Sequence, residues 1–212
     1  RYRRSMRPMK TSALLLAILI PIVGWCAPQP VPPGKMFKGE VLDIRTPNSE
    51  GWALDLSTPG GWSFVRHGAR ATESYVASVL AFNLTETTSN EDFVALIKES
   101  IEKDTSPDRF TVSDASYDYT DARGYPCVKY QATAEDKKAH ISIFKREPQK
   151  LQIYSLYCRH PIRPSLGFAI TFSHRGPDLD PDIEKQAQDF ISGVDVPPHT
   201  AAPMSDEKKD DT

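Results

Sequence analysis

Thiol, imidazole and guanidinium groups are the side chains of this chain most suited to nucleophilic attack, metal binding or anion recognition. Cys158-Arg159-His160 sets a sulfur beside two potential cations, an environment that favours the reactive thiolate. Neighbouring residues on a strand point to opposite faces, so Arg159 turns away from the sulfur. No base with an orienting partner is legible beside it, and no catalytic residue is assigned. His160 and His174 flank the connection between two expected neighbouring strands, so they are expected opposite one another near a sheet end. That would make a two-histidine metal site, although no His pair has the close spacing typical of zinc ligands on one element. The alternative is a pair of surface or capping histidines. Arg66, Arg159 and Arg175 lie at strand ends beside Pro- and Gly-containing loops, where planar guanidinium forks would suit carboxylate or phosphate. Against that anion or ligand surface stands the reading of separate ion pairs with the many acids. Asp178-Leu179-Asp180-Pro181-Asp182 has the acidity of a calcium loop without its further ligands or glycine, and helix capping explains it. Gly-rich phosphate loops, nucleophile elbows and His-Glu-x-x-His helices do not occur in the sequence, and no cofactor is expected.

The remaining cysteine chemistry has two answers. Cys127 and Cys158 form an even pair, and in an oxidising compartment an even pair reads as a disulfide. Strands over 125–134, 140–145 and 151–159 arranged as a simple meander would instead hold the two sulfurs about 20–30 Å apart, well beyond the ~7 Å Cα limit for a bridge. Both readings stand on the sequence.

Compartment follows from the N-terminal segment. Arg1, Arg3, Arg4, Arg7 and Lys10 precede an apolar run from Ala13 to Val23 and then Gly24-Trp25-Cys26-Ala27, the order of a secretion signal. The apolar run is about half the roughly 20 residues that span a bilayer. Val23-Gly24-Trp25-Cys26 resembles a bacterial lipoprotein signal, with Trp25 where that pattern wants a small residue; Cys26 would then be acylated and hold the protein to a membrane surface. The other outcome is ordinary cleavage before Ala27. Either removes the five basic residues, leaving 21 of the 26 Lys and Arg against 28 acids, a formal charge of −7. An acidic domain without a clustered basic face has no electrostatic reason to bind nucleic acid. The expected organisation is a signal at 1–26, a proline-rich tether at 27–40, one folded domain at 41–195 and a disordered tail at 196–212.

Inside that domain most segments alternate with period two: 62–66, 75–84, 110–119, 125–134, 140–145, 151–159 and 166–173. On the last, Phe168, Ile170 and Phe172 share a face, while small Gly167, Ala169 and Thr171 on the other imply close cover or partial exposure. Two segments switch to helical spacing. Ser89 or Asn90 caps a helix from Glu91 with a stripe of Phe93, Val94, Leu96, Ile97 and Ile101. Asp180 and Pro181 open a second, burying Ile183, Ala187, Phe190 and Ile191 and ending at Gly193 as the C′ residue. Short turns between strands call for antiparallel pairing. The expected class is α+β, an antiparallel sheet covered by two amphipathic helices.

This array resembles the PsbP-like superfamily, on Gly61-Trp62-Ser63-Phe64-Val65-Arg66, the helix from Glu91, Gly124-Tyr125-Pro126-Cys127 and the run from Ile170 to Gly176. The resemblance, to its bacterial periplasmic and lipoprotein branch, covers roughly 52–194 and rests on element order. It implies an accessory protein that binds a protein or small ligand, with no catalytic motif to carry over. The resulting expectation is a non-catalytic periplasmic or envelope-anchored binding protein. The rival readings are an envelope hydrolase or metal-dependent enzyme using His160 and His174, and an immunity or inhibitor protein.

Overall fold

A computed structural model describes residues 28–139 and 147–197. Its framework is one antiparallel sheet of eight strands: β1 (Gln29–Pro30), β4 (Ala53–Thr58), β5 (Gly61–His67), β6 (Ser74–Asn83), β10 (Leu166–Gly176), β9 (Gln149–Arg159), β8 (Cys127–Asp136) and β7 (Phe110–Thr120), in that spatial order. A second sheet of three short strands joins β11 (Val194–Asp195), β3 (Asp43–Arg45) and β2 (Met36–Phe37). The helices are α1 (Asn90–Asp104) and α2 (Ile183–Ser192), 15 and 10 residues long.

The α+β expectation is thereby corrected. The described residues are mostly β, and their two short helices cannot cover eight strands. They also sit on opposite faces, as the period of two in the strands makes plain. Leu156 and Cys158 of β9 and Phe168, Ile170 and Phe172 of β10 share the main core with Ile183, Ala187 and Phe190 of α2. Tyr157 and Val128 point the other way and pack with Phe93 and Ile97 of α1. The small sheet completes the α2 side by burying Ile44, Leu42 and Val194 against Trp52, Trp62 and Phe64.

Local chemistry sets the helix limits. Ser89 caps α1 by accepting the Asp92 N–H at 3.0 Å, with Glu91 and Asp92 in the first turn. Of its apolar stripe only Phe93 and Ile97 are fully buried, each contributing about 1.5–3 kcal/mol, while Val94, Leu96 and Ile101 remain partly exposed. The α2 segment begins two residues later than its proline suggested, and Asp182 makes no side-chain cap. Asp180 instead accepts the Asp182 N–H at 2.9 Å. Gly193 is not left-handed (φ −86°); a Cβ there would lie 3.1 Å from that of Arg45, so close packing fixes the residue.

The meander of three strands is also corrected. β8 has β7 on one side and β9 on the other, so no strand fits between the two cysteine-bearing strands. Residues 140–145, expected as that strand, lie outside the described residues. Register runs from Asp136↔Gln149 to Cys127↔Cys158, and the two cysteines face each other across the ladder with Cα atoms 4.0 Å apart and the sulfurs bonded.

Candidate functional site

The sequence-derived candidates separate in space. His160 follows β9 at one end of the β9–β10 pair, bonded through its backbone N–H to Leu166. His174 faces Gln152 at the other end. Eight residues of strand part them, about 26 Å at roughly 3.3 Å per residue. The expected metal pair is therefore absent, and no group of three or more ligand-type side chains forms among the described residues. His160 is 1% exposed, and its Nδ1 accepts the N–H groups of Ile162 and Arg163 at 3.2 and 3.1 Å. Burial pushes its pKa down, more than the Val41 carbonyl raises it, and the Arg163 charge adds to the lowering. It is a neutral ring holding a turn.

His174 belongs to a closed polar network. Its Nδ1 meets Gln152 Oε1 at 3.2 Å and its Nε2 meets Glu73 Oε1 at 3.0 Å. Gln152 is oriented by donating to the Asp180 carbonyl and accepting the Asp180 N–H, so its oxygen is the atom that faces the ring. Both ring nitrogens thus face acceptor oxygens. Tyr75 packs on the ring at 4.7 Å between centroids and donates to Asp180 Oδ2 at 3.0 Å. Burial, then the Asp180 bond, pushes the Tyr75 phenol up to about 12, so it stays a donor. With His174 1% exposed and both nitrogens engaged, the network fastens the 68–73 turn to β10 and the approach to α2. It offers no proton to a substrate.

The three arginines do not converge. Arg66 lies on the α2 face, its guanidinium 4.2 Å over the Tyr75 ring and bonded to Ser49 Oγ and Gln186 Oε1. Arg159 and Arg175 lie on the α1 face at opposite ends of β9–β10. Arg159 packs over Phe93 and bonds Thr87; Arg175 approaches the buried Asp136 at 3.6 Å. Strand alternation and strand length, which no single run of sequence reveals, dissolve the anion surface into three local contacts. Asp136 itself is held mainly by Arg109, through bonds of 3.0 and 2.8 Å. Cys127 and Cys158 are fully buried as the disulfide, and Cys26 lies outside the described residues.

What the fold leaves open is a groove. Helix α1 lies over the Val128–Tyr157 end of its sheet face, and the rest of β8, β9 and β10 continues beyond it. There Ala132, Ala134, Ile153 and Thr171 form the floor, with Ile101 on the helix side and Phe110 and Val112 on the β7 side. The space is about 290 Å³, and a neighbouring hollow of about 450 Å³ shares Ile101, Thr105, Phe110, Val112 and Tyr130. Small floor residues make the depth: Ala132 and Ala134 are 8% and 5% exposed, and the Ser155 and Thr171 hydroxyls bond each other at 2.9 Å. The unhelped sequence signal was the small face of β10. Gly167 is close cover, since a Cβ there would meet the Phe82 ring at 2.5 Å; Ala169 and Thr171 are the partly exposed remainder.

Other hollows lie on the α2 face. One of about 420 Å³ beside α2 is edged by Lys129, Gln131, Glu184 and Gln188. Neither a family model nor a curated protein matches the chain.

Proposed function

We propose that this chain is a non-catalytic binding protein of the bacterial envelope, and that the groove between α1 and the β8–β9–β10 face takes an apolar ligand. The observation that carries the reading is a sheet face floored by Ala132, Ala134 and Ile153 that α1 covers only in part. Concave, mainly apolar lining with few polar groups is the usual make-up of a small-molecule site. The separation of His160 from His174 and the closure of the Glu73–His174 network favour binding over hydrolysis. The Cys127–Cys158 bridge supports an oxidising compartment, in line with the leader and with Cys26 as a lipid anchor.

Titration of the domain from residue 28 onward with the neutral dye Nile red tests this. Ala134→Leu fills the floor and is expected to weaken binding about tenfold. Val112→Ser, at a wall position 44% exposed and free of packing demands, is expected to weaken it a few-fold with unchanged melting. Dye affinity indifferent to both substitutions, or no dye binding at all, removes the reading.

A further inference from the structure

The charge around the groove identifies the head group of its ligand, an inference that rests on the groove being the binding site. Among the described residues lining the 290 Å³ space there is no Lys, Arg or His, and the one charged side chain is Asp104. Asp104 is exposed at the last turn of α1, where the helix dipole adds negative potential. No described residue forms an ion pair or hydrogen bond with its carboxylate. In the adjoining hollow Lys98 is already matched to Glu102 at 3.9 Å, which leaves that pair neutral and the sum over the described lining residues of the two spaces negative. The field reaches the floor. Burial raises the phenols of Tyr157 and Tyr117, and the charges of Asp104 and Glu102 respectively raise them further.

Aromatic rings at the same place suit a cation. Tyr130 and Tyr117 lie against each other at 5.0 Å, and Phe110 and Tyr117 already carry Arg109 and Lys98 over their rings at 4.8 and 5.8 Å. A ring that holds a side-chain ammonium can hold a ligand's. Tyr130, pushed up to about 12 chiefly by burial, stays a neutral hydroxyl at the groove. An anionic head would face the Asp104 carboxylate at the end of α1.

We propose that the groove binds a cationic amphiphile: an apolar chain lying on Ala132, Ala134 and Ile153, with an ammonium head at Asp104 and the tyrosines. The sign of the charge distinguishes this from a fatty acid or a phosphate-headed lipid, which present the opposite one.

The test compares three single-chain probes with the same dodecyl tail, each below its micellar concentration and at low salt: dodecyltrimethylammonium, dodecyl maltoside and dodecyl sulfate. The domain from residue 28 onward is titrated by calorimetry. The expected order is cationic, then neutral, then anionic, with roughly tenfold between the extremes. Asp104→Asn, an exposed substitution that leaves the fold unchanged, is expected to shrink that ratio about threefold, as is 0.5 M salt on the wild type. Equal affinity for the three heads, or a preference for sulfate, overturns the inference while Nile red binding lost in Ala134→Leu would still uphold the groove. A ratio untouched by Asp104→Asn also overturns it. So would nuclear Overhauser contacts from residues 140–146 to Ala134 in the free domain, because the chain's own residues would then fill the site.

Discussion

Cutting the Cys127–Cys158 bond tests the register on which the whole sheet depends. The cross-link joins residues 31 apart in sequence, directly across the β8–β9 ladder. Closing a loop of that size in the unfolded chain contributes about 3.7 kcal/mol at 25 °C in the chain-entropy treatment. With a urea slope of about 2 kcal/mol per molar, the midpoint is expected to fall by about 1.8 M on reduction, and the slope to rise somewhat as the unfolded chain expands. Both sulfurs are buried, so the bond has to be reduced in the unfolded protein, which is then refolded with reductant present. Comparison with Cys127→Ala/Cys158→Ala separates the cross-link from the loss of buried sulfur, the double variant being the less stable of the two. Two titratable thiols in the oxidised, unfolded domain, or a midpoint shift below about 0.5 M, would refute the pairing and with it the direct β8–β9 register.

Asp136→Asn is expected to cost roughly 2–3 kcal/mol at pH 7, the low end for a broken buried pair because Arg109 is 41% exposed. Burial raises the Asp136 pKa, but Arg109's bonds, the Lys138 N–H and the charges of Arg109 and Arg175 outweigh it and hold the group below 3.8. Its contribution is therefore present above that value and lost as pH falls through the lower, folded one. Urea unfolding between pH 7 and 2.5 should show wild type and variant converging in acid, and a gap that stays constant contradicts the ion pair. Tyr75→Phe is expected to cost about 1–2 kcal/mol and to remove one phenol from those titrating near pH 12 in ultraviolet absorbance; an unchanged alkaline titration counts against the Asp180 contact. Ser89→Ala, which strips the α1 cap, is expected to cost about 1 kcal/mol by thermal unfolding, and a neutral result would move the helix start.

Much of the fold was legible because local rules dominate it. Alternation in 166–173 placed Phe168, Ile170 and Phe172 on the core face, and Ser89 with its acidic first turn marked α1. What misled was order between elements. The meander set 140–145 between the two cysteine-bearing strands, yet pairing in a sheet is decided by which edges remain free, and β8 has none. The same non-local step decides the candidate sites. Strand ends bearing Arg66, Arg159 and Arg175 look equivalent along the chain, and only register and face parity set them apart. The groove was foreshadowed by the small Thr171 but not located, because its walls come from α1 and β7, whose approach depends on an eight-strand order.

Ligand is expected to occupy the α1 groove. Amide shifts of the isotopically labelled domain, followed while octyl glucoside is added below its micellar concentration, address it most directly. Movement is expected to concentrate at Ile101, Phe110, Ala132, Ala134, Ile153 and Thr171. Movement gathered instead around Ser49, Gln186 and Phe190, in the hollow on the α2 face, would contradict it.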